Sequence, residues 1–150
     1  MSSVIIKLSI SMQPISHPLR VRTCFSHARF DGTTLTAPDV EGLYNLIGGY
    51  INLNRVVKDN QGNVTSRSAV GTYKISGSTY TVELLYTAEN DGKGVKYDFS
   101  KRPGSSEMVM TDGNVEMKIP LSKNLYGSFD RDSFTVMSSG KYIDRWVKVK

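Results

Sequence analysis

Apolar and polar positions alternate along much of this chain. Val4, Ile6, Leu8, Ile10 and Met12 take every second place, with Lys7, Ser9 and Ser11 between them. A period of two puts successive side chains on opposite faces, so this stretch predicts a half-buried strand. Pro14 and Pro18 end it, because proline cannot donate to a strand ladder. A second strand is expected over 19–30, with Leu19, Val21, Thr23 and Phe25 on one face and Arg20 and Arg22 on the other. Asp31-Gly32 is a turn signal.

One segment departs from this period. In Thr36-Ala37-Pro38-Asp39, threonine can cap a helix, proline suits the first turn, and an acid follows three residues after the cap. Val40, Leu43 and Ile47 follow at helical spacing, and Gly48-Gly49 stops the run. The pattern predicts one short helix, placed to close an end of a barrel.

From Tyr50 the chain reads as a meander. Strands are expected over 50–58, 64–75, 79–87, 94–100, 107–111, 115–120, 133–137 and 141–149. Turn signals such as Asp59-Asn60-Gln61-Gly62, Ser76-Gly77-Ser78, Pro103-Gly104 and Asp112-Gly113 separate them. Residues 121–132, polar and glycine-containing, read as a looser segment. Short strands every 8–12 residues are the mark of a sandwich or barrel. The expected fold is all-β: an antiparallel up-and-down β-barrel of about eight to ten strands with one short helix, a single domain over 1–150. Closure removes exposed strand edges, and a small barrel can hold a ligand.

Composition narrows the function classes. Charged residues are 22% of the chain and apolar ones 39%, which fits a packed domain and not a disordered one. The net charge of +5 is basic. Arg20, Arg22 and Arg29 with Phe25 and Phe30 are too sparse for a nucleic-acid stacking surface, so no specific nucleic-acid partner is expected. A basic-surface interaction module is the third-ranked reading. The single cysteine, Cys24, excludes an intrachain disulfide and favours a reducing compartment. Lys7 interrupts the first apolar run and no basic leader precedes it, so the start reads as a strand and not a signal peptide. No run is long enough to span a bilayer as a helix. A cytoplasmic protein is expected. Cys24 and His27, with His17 the only other histidine, are too few for a metal site, and no phosphate-binding glycine motif occurs. Neither metal nor cofactor is expected.

The stretch Gly71-Thr72-Tyr73-Lys74-Ile75-Ser76-Gly77-Ser78-Thr79-Tyr80-Thr81-Val82-Glu83 resembles the central hairpin of small bacterial lipocalin-like (calycin) domains. Asp144-Arg145-Trp146-Val147-Lys148-Val149 is similar to their last strand. Gly48-Gly49-Tyr50 stands where that group places Gly-x-Trp, with Tyr50 in place of the tryptophan. The resemblance covers residues 43–150, the C-terminal two thirds. It implies a cavity for a small ligand, and an Arg145 that stacks on the first-strand aromatic. Cofactor-free cyclases and isomerases reuse the same architecture. Residues 1–35 have no counterpart in the short members; they could add strands, cover an edge, or swap between subunits in a homodimer.

The candidate chemistry sits on the strands. Tyr80, Val82, Leu84 and Tyr86 share one face of the 79–87 strand, a fitting cavity wall of rings with hydroxyl tips. Tyr50, Tyr73, Tyr97 and Trp146 add aromatic surface, and Met108 and Met110 add adaptable thioethers. Arg55 interrupts an apolar strand and could pair with a ligand carboxylate. Glu83 and Asp98 are the candidate catalytic acids: facing outward each is a solvated carboxylate, whereas turned into an apolar barrel it has the raised pKa that proton transfer uses; the same two alternatives apply to Asp144. The expected function is binding of a small hydrophobic or amphipathic molecule. The alternative is cofactor-free cyclisation or isomerisation of a hydrophobic, natural-product-like substrate.

Overall fold

The computed structural model describes residues 22–148; the strand expected over Val4–Met12 lies outside them. Twelve strands follow in chain order: β1 (Arg22–Arg29), β2 (Thr34–Thr36), β3 (Val40–Ile47), β4 (Tyr50–Lys58), β5 (Val64–Ser76), β6 (Thr79–Asn90), β7 (Val95–Asp98), β8 (Arg102–Thr111), β9 (Asn114–Lys118), β10 (Leu125–Phe129), β11 (Ser133–Ser138) and β12 (Tyr142–Lys148). Every pairing is antiparallel. The order runs β12-β11-β10-β9-β8-β6-β5-β4-β3-β1, and β1 pairs back onto β12. The sheet is thus an all-β, nearly closed barrel.

At two places one strand edge is shared by two neighbours. β1 meets β3 through Arg22 and Thr23, and β2 through Ser26 to Ala28. β6 meets β8 through Thr79 to Leu84, and β7 through Thr87 to Asn90. Among the described residues β7 has no second neighbour, and that edge keeps the closure partial. β1 and β2 are built into the wall, and β1 is the strand that completes it.

The short helix expected after Thr36 is not formed; those residues are strand β3. Asp39 N–H donates to the Thr36 carbonyl at 2.8 Å, so the apparent cap closes a turn. Val40, Gly42, Tyr44 and Leu46 then alternate inward, while Leu43 and Ile47, two of the three residues at helical spacing, are exposed. Glycine at the second inward position hides the period of two. It is required there: a Cβ on Gly42 would stand 2.7 Å from the Asn54 carbonyl oxygen and 2.9 Å from Trp146 Cη2.

The segment 121–132, expected to be loose, contains β10. Gly127 obscures its alternation in the same way, facing inward against Ile119, Phe129 and Phe134. Pro103-Gly104 lies within β8 and does not turn the chain. The β8–β9 pairing covers only Met108 to Thr111, so Pro103 is paired on one side alone, a position proline tolerates.

The core runs along the barrel, from Val40 and Val57 near the Lys58–Val64 turn to Phe129 and Phe134. Phe129 and Phe134 stack with centroids 3.9 Å apart. Met108, Met117, Tyr80 and Val82 are buried with them in one apolar cluster that also holds Val40, Leu46, Ile51 and Trp146.

Candidate functional site

The barrel is not filled along its whole length. A cavity of about 270 Å³ lies within it, walled by β3, β4, β5, β6, β8, β9, β11 and β12 and by residues 119–125. Its apolar wall includes Tyr44, Leu53, Tyr80, Val82, Leu84, Leu121, Phe134 and Trp146. Its polar wall carries Arg55, Arg67, Arg102, Tyr142 and Asp144. Strand alternation puts them there: Arg55 is in phase with Ile51, Leu53 and Val57, Arg67 with Ala69, and Asp144 with Tyr142 and Trp146.

Asp144 is the centre of a buried polar cluster. It is 3% exposed and lies opposite His27 in the β1–β12 seam. Its Oδ1 is 2.6 Å from His27 Nδ1 and accepts from Arg55 Nη2 at 3.2 Å, while Arg55 Nε stands 3.1 Å from Oδ2. Arg55 Nη2 is also 2.8 Å from His27 Nδ1. His27 Nδ1 therefore faces an acceptor and a donor at once. Protonated there it donates to the carboxylate; unprotonated it accepts from the guanidinium; it cannot do both. The Tyr142 ring covers the cluster, with Arg55 Cζ 5.1 Å above its centroid and the His27 ring 4.9 Å away. Burial, outweighing the nearby Arg55, raises the Tyr142 hydroxyl above its ordinary pKa. Burial, and then the Tyr44 hydroxyl beside it, does the same to Tyr80. Both phenols are neutral hydrogen-bonding groups at neutral pH.

The other two arginines are held more loosely. Arg67 Nε stands 3.2 Å from Glu89, and Arg102 Nη2 is 2.6 Å from Asp98. All four of these side chains are at least 40% exposed, and neither acid lines the cavity. Three guanidinium groups and one carboxylate line the wall, and the carboxylates that pair with Arg67 and Arg102 lie just outside it. Such a wall can hold the anionic or acceptor-bearing end of a molecule whose body lies on the apolar side.

Of the candidates named from sequence, the cavity brings together Arg55, Tyr80, Leu84 and Trp146. Met108 is buried in the core, and Tyr73 packs against it, its ring centroid 6.0 Å from that of Tyr80. Tyr50, Tyr97 and Met110 are exposed. So is Arg145, opposite Ser26 and Thr135. Tyr86 does not share the face of Tyr80, Val82 and Leu84. A bulge intervenes, with Val70 opposite Tyr86 and Gly71 opposite Leu84, so Leu85 is an extra residue and the alternation changes phase. Thr87 is the buried residue beyond it, and the Tyr86 ring lies 6.1 Å from Phe99, itself 70% exposed. Glu83 alternates away from cavity-lining Val82 and Leu84. Asp98 is surface-exposed at the end of β7, where hydrogen bonds from the Ser100 hydroxyl and amide, and then the charge of Arg102, lower its pKa. Neither acid reaches the cavity.

In the sequence His27 stands out only beside Cys24, as a metal ligand or nucleophile partner, and Arg67, Arg102 and Tyr142 are not singled out. The available signal was a charged residue in phase with an apolar face. It pointed to Arg55, and for Asp144 it lay in the neighbouring Trp146. Among the described residues no group of three or more His, Cys, Asp or Glu is placed to hold a metal ion, and no helix is long and apolar enough to cross a membrane.

Fold and site together define a small antiparallel β-barrel, consistent with a calycin-like fold, with a cavity whose lining is part apolar and part arginine-rich and polar. No protein family, curated protein or solved structure matches the chain.

Proposed function

We propose that this protein binds a small hydrophobic or amphipathic molecule inside its barrel, in the manner of a lipocalin-like carrier. The observation behind this reading is the cavity itself. A concave space of about 270 Å³, mostly apolar and with a few convergent polar groups, has the form of a small-molecule site, and this supports the reading. The test is calorimetric titration with two neutral probes, 1-octanol and 2-naphthol, against the wild-type protein and Leu84→Trp. Leu84 lines the cavity, and a larger side chain there fills it. Saturable one-to-one binding of at least one probe is expected, weakened about tenfold or more by the substitution, with no loss of thermal stability. Equal binding by both proteins overturns the reading.

A second reading, a cofactor-free isomerase or cyclase, draws on the buried His27–Asp144–Arg55 cluster. Tyr142 and Asp144 carry it to the cavity wall, where a proton could be exchanged with a bound substrate. Recovery of the bound compound separates the two: a carrier returns it unchanged, and an isomerase returns a rearranged product.

A further inference from the structure

The polar atoms that the fold leaves without hydrogen-bond partners are not spread at random. Among the described residues, four buried side-chain atoms have none: Asn45 Oδ1, Arg55 Nε, Arg67 Nε and Trp146 Nε1. The last three belong to residues that line the cavity, and all three are donors. Arg55 Nε and Arg67 Nε stand near carboxylate oxygens, yet their N–H groups make no hydrogen bond to them. Trp146 is 2% exposed, so bulk water does not serve its indole N–H. These three N–H atoms are closed to a water-sized neighbour on the cavity side as well, so what the wall offers an occupant is the guanidinium groups of Arg67 and Arg102. Two guanidinium groups on one wall match an anionic occupant.

Two arginines are available to it. Arg55 is engaged with Asp144 and His27 inside the protein. Arg67 and Arg102 are paired only with Glu89 and Asp98, in contacts exposed enough for water and salt to screen. The rest of the wall fixes the body of the molecule. Tyr44, Tyr80, Phe134, Tyr142 and Trp146 present five rings to the space, and flat rings pack best against a flat partner. A cavity of about 270 Å³ has room for a bicyclic body.

We infer that the cavity takes a flat aromatic monocarboxylate of about two fused rings, its carboxylate held by Arg67 and Arg102. The inference rests on the cavity-binding reading above and specifies its ligand class. It is tested by calorimetry on the full chain with 2-naphthoate, the neutral 2-acetylnaphthalene and the linear acid octanoate. The naphthoate binds at least about tenfold tighter than either of the others. Arg67→Met removes about tenfold of naphthoate affinity and leaves 2-acetylnaphthalene unchanged. Arg102→Met gives the same pattern and serves if the first variant does not fold. Equal affinity for naphthoate and 2-acetylnaphthalene overturns the carboxylate site while the cavity reading stands. Octanoate binding as tightly as naphthoate overturns the flat-body preference. If none of the three binds, and the neutral alcohols do not bind either, the cavity reading falls as well.

Discussion

Asp144 is the one buried carboxylate among the described residues. At 3% exposed it loses its hydration, and among those residues His27 and Arg55 replace it. The dependence is mutual, since Arg55 has 17% of its side chain exposed and has Asp144 as its counter-ion. Removing one partner of a buried pair strands the other. Asp144→Ala is expected to destabilise the protein by about 3 kcal/mol, read as a lowered urea midpoint with unchanged slope. Asp144→Asn keeps an acceptor for Arg55 and loses less. A loss under about 1 kcal/mol for the alanine variant would mean that water already solvates the cluster. The partners themselves were half legible. Arg55 breaks an apolar run in phase with residues that are buried, which is visible in the sequence. Its counter-ion lies 89 residues away, and no local pattern states that distance.

At the scale of the element, glycine decided what could be read. Strands whose inward positions are all filled, such as β4 with Ile51, Leu53 and Val57, show their period directly. β3 and β10 each give one inward position to glycine so that a ring from elsewhere can occupy the space: Trp146 over Gly42, Phe134 beside Gly127. The alternation then breaks at one place. In β3 it left behind an accidental helical spacing, and in β10 what looked like a polar loop. The bulge at Leu85 had the opposite effect: an unbroken run of Tyr80, Val82, Leu84 and Tyr86 promised one face where there are two. Each case is a tertiary contact overriding a local pattern. Gly42→Ala tests the first. Its Cβ would meet a backbone oxygen, which cannot swing away, and the edge of the Trp146 ring. A loss of about 1–3 kcal/mol is expected, with a shift in the emission of the single tryptophan as its ring is displaced. An unshifted spectrum with unchanged stability would show that β3 and β12 can separate freely.

For the whole molecule, the decisive join is the seam between β1 and β12. Seven positions pair across it, among them His27 with Asp144, 117 residues apart in the chain. Bringing such distant segments together costs about 4 kcal/mol of loop-closure entropy by the logarithmic scaling, so the seam must stabilise by more than that to persist. It has the means: β12 carries Trp146 into the core, and Asp144 ties the two strands through His27. β7 is the contrast, a four-residue strand held by β6 alone, with Val95 and Tyr97 exposed. Native-state amide exchange should separate the two edges. Amides of β12 that face β1 are expected to exchange as slowly as those facing β11, because neither set is released without opening the barrel. Amides of β7 that point away from β6 are expected to exchange orders of magnitude faster, limited only by exposure. If the β1-facing amides instead exchange a hundredfold faster than the β11-facing ones, the seam opens below the global unfolding energy. The protein would then behave as a curled sheet, and the cavity would have a second entrance beside His27 and Asp144, at the very groups its polar wall depends on.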